Sequence, residues 1–301
     1  MSARPPEIAN ALTIDVEDYF QVSALSPHIP RSEWERMPCR VERNIDTVLA
    51  LLSEAGSKAT FFTLGWIAER YPHLVGRILA EGHELASHGY AHHRATDQSR
   101  AHFTEDIRTA KSLLEDLSGT EVKGYRAPSF SVGRHNHWAF DCIAEAGYRY
   151  SSSVYPIRHD HYGMPEAPRF PYRPHERVLE IPVTTVRVLK TNFPAGGGGY
   201  FRLMPYAVSR SLIRRVNEVD RRPAVFYFHP WELDPGQPRV RGTSLKTRFR
   251  HYLNLHRTEP RLRSLLRDFT WRRIDRIFLE PSEVAPGITP AIGAAAAREG
   301  G

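Results

Sequence analysis

Cysteine is nearly missing from this chain: 301 residues hold only Cys39 and Cys142. They form no Cys-x-x-Cys pair, so a disulfide framework and a zinc ribbon are excluded. Two buried or partly buried thiols fit a reducing compartment. Long hydrophobic runs are also missing, and no stretch approaches the roughly 18 apolar residues of a membrane helix. The first ten residues are polar and a strand pattern starts at Ala11, leaving no room for a cleavable leader. The expectation is a cytoplasmic location with, at most, peripheral membrane contact. No internal repeat is visible. With 41% apolar residues, 23 prolines and 20 glycines, disordered and collagen-like classes drop out.

The formal net charge is +7. A basic balance suits an anionic partner such as nucleic acid, a membrane surface or an acidic glycan. Much of the excess lies between Arg239 and Arg276, with no zinc-finger spacing or aromatic-basic RNA motif beside it. A nucleic-acid partner is therefore set aside.

Strand and helix patterns alternate along the chain. Strands are predicted at Ala11 to Val16, Ala59 to Leu64, His83 to Ser87, Val122 to Tyr125, Tyr148 to Ser153, Val178 to Thr184 and Ala224 to Phe228. Val41, Ile45, Val48, Leu49 and Leu52 recur at helical spacing before Gly56. Further helices are predicted over Trp66 to Ala80, Phe103 to Leu117, Trp138 to Ala146 and Pro205 to Val219. The stretch 155–176 reads as a long loop. The glycine run between Ala195 and Tyr200 reads as a flexible loop bordering the site, since it lacks the Lys-Ser/Thr of a phosphate loop. This alternation implies an α/β fold with a mainly parallel sheet and outer helices. Active residues of such folds gather where strands end. Asp15, Glu17, Asp18, His88, His92, Arg126 and His229 all fall there.

Two histidines four apart, His88 and His92, can share one face of a helical turn and reach one metal ion. Three acids close the first strand, and like charges crowded there need a cation. One of them completes a two-histidine, one-carboxylate site with open positions, and another can serve as a base. A helix N-cap would account for one acid but hardly for three. Arg126 can pair with the base carboxylate, and His229 can act as an acid near neutral pH. Tyr19, Phe20, Tyr90, Phe130 and Trp231 are candidate sugar-stacking rings, or simply core.

These motifs resemble those of the NodB-homology polysaccharide deacetylases, carbohydrate esterase family 4. Thr13-Ile14-Asp15 resembles the start of the first family motif, and His88 with His92 keeps the spacing of the second. Arg126-Ala127-Pro128 resembles the third, with Ser129 in place of Tyr, and His229 the fifth. The likeness covers roughly residues 10 to 235. Asp15-Val16-Glu17-Asp18-Tyr19-Phe20, Tyr125 to Phe130 and Phe228-His229-Pro230-Trp231-Glu232 are similar to a subgroup associated with exosortase (PEP-CTERM) exopolysaccharide clusters.

The resemblance implies a NodB-type distorted (β/α) barrel over 1–235 with the basic, helix-prone extension over 236–285 packed on it, while the Ala/Gly-rich composition of 286–301 reads as a disordered tail. It implies removal of N-acetyl groups from the hexosamines of a glycan or lipid-linked oligosaccharide. The metal, Zn²⁺ or else Co²⁺, Ni²⁺ or Mn²⁺, would be held by His88, His92 and either Asp18 or Glu17. Asp15 would be the base, Arg126 its orienting partner and His229 the acid. Ser129, Phe130 and Trp231 would line the substrate and oxyanion region. Gly89 departs from the family's Ser/Thr, which removes a hydroxyl that orders the histidine loop. The alternatives are an allantoinase-like amide hydrolase on the same scaffold and an inactive glycan-binding relative.

Overall fold

The computed structural model describes residues 8–160 and 162–280. The tail expected over 286–301 lies outside the described residues. The chain opens with β1 (Asn10–Val16), then two short 3-10 turns and α1 (Val41–Glu54). β2 (Thr60–Thr63), α2 (Gly65–Arg70), α3 (Pro72–Ala80), β3 (Glu84–Ser87), α4 (Arg100–Ser118) and β4 (Gly124–Tyr125) follow. Next come α5 (Ala139–Glu145), β5 (Tyr150–Ser151), β6 (Tyr172–His175), β7 (Val178–Glu180), β8 (Thr185–Val188) and β9 (Thr191–Pro194). The last elements are α6 (Gly198–Leu203), α7 (Tyr206–Arg215), β10 (Val225–Phe228), α8 (Leu245–Tyr252), α9 (Leu255–Asp268), β11 (Trp271–Arg272) and α10 (Ile274–Phe278).

The main sheet runs in the order β10-β1-β2-β3-β4-β5-β7-β6, with β11 also on β1, and curls into a half-barrel. Every pairing in it is parallel except β6 with β7. Parallel strands covered on both faces carry continuous apolar sequence, and β1 is buried along its whole length. Among the described residues no helix is long and apolar enough to cross a membrane.

Register does most of the positioning. Val16 pairs with Thr63, Thr63 with Ser87, Ser87 with Tyr125, Tyr125 with Ser151 and Ser151 with Glu180. This single row crosses the sheet. Glu17, His88 and Arg126 each stand one residue beyond it, so a parallel register delivers all three to one edge. Ile14 pairs with Phe228, which sets Asp15 beside His229.

Several expectations change. The helix over Trp66 to Ala80 is two helices, because Pro72 starts α3 and the preceding Tyr71 leaves the helical region. The loop over 155–176 contains β6, and the β8–β9 hairpin was not anticipated. The glycine run is not a loose loop. Tyr227 N–H donates to Gly196 O at 2.7 Å, and Gly197 bridges to Tyr227. A Cβ on Gly197 would lie 2.0 Å from Tyr227 O, at a φ of +114°. The glycines exist so that backbone can press against β10. Gly197→Ala should therefore cost more than about 2 kcal/mol. Urea unfolding checks this, and an unchanged midpoint would contradict it.

Glu180 closes the row at β7. Its Oε1 accepts the N–H groups of Ser153 and Val154, both at 2.9 Å, while buried Oε2 has no hydrogen-bond partner. Burial outweighs these donors and pushes the carboxyl up to about 7. Between the ordinary value near 4.5 and about 7 the unfolded chain loses its proton first, so stability falls as pH rises. Glu180→Gln keeps one acceptor oxygen and cannot ionise. Its stability relative to wild type should rise by up to ~3 kcal/mol across that window and stay level above it. A pH-independent difference in unfolding free energy would refute the assignment.

Candidate active site

Beyond β1 the chain folds back at once: Glu17 N–H donates to Asp15 O at 3.0 Å. Asp15 and Glu17 consequently both point into the site, 2% and 1% exposed. Arg126, fully buried, donates to Asp15 Oδ1 at 2.7 Å and to Thr13 Oγ1 at 2.8 Å. Its other nitrogens bind Ser152 O and Ser152 Oγ, at 3.1 and 2.9 Å. A buried guanidinium needs such pairing, and here it fixes the Asp15 carboxylate.

His88 and His92 do not share a helical turn, as the spacing suggested. They lie on a loop after β3, and His92 adopts a left-handed φ of 53°. That bend, together with a φ of +74° at Gly89, brings the rings within 5.3 Å. His88 Nδ1 donates to Arg126 O at 2.9 Å, which leaves Nε2 as the lone-pair nitrogen. Burial, then His92, holds His88 well below its ordinary pKa, in the neutral form a ligand needs.

Ligand atoms of Glu17, His88 and His92 lie within 4.8 Å of one another. His92 Nε2 is 2.7 Å from Glu17 Oε2, an ion-pair approach without hydrogen-bond alignment, so buried Oε2 keeps a lone pair to give. Burial opposes ionisation of Glu17, but His92, His229 and His88 together bring it down to about 2. Two imidazole nitrogens and one ionised carboxylate fit a small divalent cation. Trp231 Nε1 donates to Glu17 Oε1 at 3.2 Å and steadies it.

Asp18 is not in this cluster. Its carboxylate accepts the N–H of Tyr19 at 2.7 Å and the N–H of Arg40, just before α1. Of the two open candidates only Glu17 stands with the histidines. Asp18 instead ties the start of the 19–39 segment between β1 and α1 to its end, close to the N-cap role that explained one acid.

His229 leaves β10 with Nδ1 2.7 Å from Glu232 Oε1 and Nε2 3.8 Å from Asp15 Oδ2 and 3.5 Å from Glu17 Oε1. Burial disfavours its charge, but Glu17, Glu232 and Asp15 outweigh that and raise it to about 9. Its side chain is 18% exposed against 5% or less for Asp15, Glu17, His92 and Arg126, so the site opens to solvent on this side.

The candidate stacking rings are mostly core. Tyr19, Phe20, Phe130 and Trp231 are buried. Trp231 is stacked with His229 at 5.2 Å and with His251 at 4.4 Å. Phe130 packs edge-on to Tyr227 at 4.8 Å. Ser129 has a left-handed φ of 56°, and its Oγ meets Ser23 Oγ at 2.7 Å.

Sequence reasoning missed the groups that hold the histidine loop. Asp106 on α4 accepts the N–H of Tyr90 at 3.2 Å and sits where a side chain on Gly89 would go, 2.7 Å from its Cβ position. The histidine loop is thereby held from α4. Arg31 donates to Ala91 O at 2.6 Å and His92 O at 3.0 Å from the segment between β1 and α1. A lone acid in a helix and an arginine in a loop carry no local signal of such roles.

Residues 34–151 match the family model described as polysaccharide deacetylase, and residues 152–279 match one described as a domain of unknown function, DUF3473. A peptidoglycan-N-acetylglucosamine deacetylase of Bacillus cereus is 35% identical over 102 residues, 34% of this chain and 46% of that protein. Another from Listeria monocytogenes is 29% identical over 125 residues, 38% of this chain and 26% of that protein. The chain thus spans less than half the length of these curated relatives. A crystal structure of a polysaccharide deacetylase-type protein from Mycobacterium smegmatis overlays with a TM-score of 0.51 at 20% identity, covering 88% of this chain and 92% of that one. At that identity the likeness shows the fold. Over residues 34–151 the chain is thus similar in sequence to polysaccharide deacetylases.

Proposed function

We propose that the protein hydrolyses N-acetyl groups from hexosamine units of a glycan, releasing acetate. The observation that carries this is the meeting of Glu17, His88 and His92 beside the Arg126-held Asp15 and the exposed edge of His229. Glu17, His88 and His92 would hold a divalent metal, Zn²⁺ foremost, with Co²⁺, Ni²⁺ or Mn²⁺ as substitutes. When bound, such an ion supplies Lewis acidity for the acetamide carbonyl and its attacking water. Asp15 takes the proton from that water, and Arg126 keeps the carboxylate aimed. The backbone N–H of Ser129, at the left-handed turn, is the donor for the developing oxyanion, that of Phe130 being held by Ala127 O. His229 gives its Nε2 proton to the departing amine, with Glu232 behind Nδ1 fixing the tautomer.

N-acetylglucosamine glycans are the substrate class, in line with the named activity of the Bacillus and Listeria relatives. The motif text around Asp15, Arg126 and His229 favours exopolysaccharide or its lipid-linked precursors, met in the cytoplasm at the membrane surface. The functional division follows the 1–235 core and the 236–285 extension. The test is acetate release from N-acetylglucosamine oligomers, before and after chelation. We expect turnover that chelation abolishes and Zn²⁺ restores. No release from any N-acetylated oligomer, with ureide or cyclic-imide turnover instead, would overturn the reading.

A further inference from the structure

Arg202 is among the most buried charges in the protein, 3% exposed, and lies on the short helix α6 that the glycine run presses against β10. Removing a guanidinium from water is costly unless every donor is used. Arg202 comes close to that demand, with four of its five N–H donors paired. Nη1 donates to His251 O and Leu253 O, both at 2.9 Å, and Nη2 donates to Arg250 O at 3.0 Å. Nε donates to Glu232 Oε2 at 2.5 Å. Asn254 and Arg261 in turn donate to the Arg202 carbonyl, both at 2.8 Å.

The carboxylate is the informative partner. Three carbonyls would suffice to seat an arginine as a structural pin. Glu232 carries a second commitment on its other oxygen, which receives His229 N–H at 3.1 Å and faces His229 Nδ1 at 2.7 Å. Oε1 is taken by His229 and Oε2 by Arg202, so the orientation of the carboxylate is set from both ends. The plane of the His229 ring follows, and with it the 3.8 Å approach of Nε2 to Asp15. The same region covers the other side of the site: His251, whose carbonyl Arg202 holds, stacks on Trp231, and Trp231 donates to Glu17. All of these groups except Glu17 and Asp15 fall within 152–279, the part that matches a domain of unknown function.

We propose that Arg202 is a positioning residue that fixes His229 through Glu232, and that holding this ring in place is what residues 152–279 contribute to the reaction. The inference rests on the acid role proposed above for His229. The α8–α9 junction locks Arg202, Arg202 locks Glu232, and Glu232 locks the imidazole.

The experiment is a double-mutant cycle on the full chain, read as acetate release from N-acetylglucosamine oligomers. Arg202→Lys keeps the charge but cannot span one carboxylate and three carbonyls. It should lower kcat about 10–100-fold, the penalty of a misplaced group, with KM changed less than about twofold. In a His229→Ala background the same change should cost less than about twofold more, because the group it positions is gone. Equal losses in both backgrounds, or an unchanged kcat in Arg202→Lys, would overturn the inference. His229→Ala with wild-type turnover would instead overturn the acid reading, and this inference with it. Thermal melts check folding, and Arg202→Gln, whose amide still donates one hydrogen bond, gives the second reading of the cycle if the lysine variant does not fold.

Discussion

Asp15→Asn should reduce acetate release by about 10³-fold, within the range assigned to a positioned general base. The asparagine has the shape of the aspartate and can still accept from Arg126 through Oδ1, at the present 2.7 Å. It has no negative charge and no basic oxygen, so it cannot take a proton from water. The proposed metal site should be intact, because the residues that would hold the ion are Glu17, His88 and His92. Metal content equal to wild type with activity lost is the expected pair of measurements. Arg126, fully buried, loses its charged carboxylate partner, so a fall in stability accompanies the change. Assays at a temperature where the variant is folded separate the two effects. Turnover within tenfold of wild type would remove Asp15 from the role of base.

Much of this site is legible in the sequence because parallel sheets export their chemistry to one edge. Once Asp15, His88, Arg126 and His229 each follow an apolar run, the register row from Val16 to Glu180 and the pairing of Ile14 with Phe228 bring them together with little further information. The backbone of the histidine loop was not legible. Spacing of four suggested a helical turn, whereas the structure uses a left-handed His92 held by tertiary contacts from Arg31. Propensity has no access to such contacts. The glycine run misled for a similar reason: composition alone reads as freedom, while Gly197 is there for close contact with Tyr227. Arg202 was passed over because its meaning depends on Glu232 and on carbonyls some 50 residues away in sequence.

Glu17→Gln and Asp18→Asn should separate two adjacent acids that sequence alone left equivalent. Glu17 brings an ionised oxygen without a hydrogen bond to two imidazoles, so its amide replacement removes the charge a divalent cation needs. Partners outside the ligand shell are worth 10–100-fold in metal affinity, so loss of a ligand charge should exceed about 100-fold. Competition with a zinc chelator measures this, and acetate release should fall in parallel and recover in part at high Zn²⁺. Asp18→Asn should behave in the opposite manner. Its carboxylate serves the N–H groups of Tyr19 and Arg40, so an amide there turns one acceptor into a donor facing a donor. The expected cost is about 1–3 kcal/mol of stability with zinc affinity near wild type. The reverse pattern, affinity lost with Asp18 and kept with Glu17, would move the third ligand one residue along the chain. It would also require the loop beyond β1 to abandon the Glu17 N–H to Asp15 O turn that now points both acids inward.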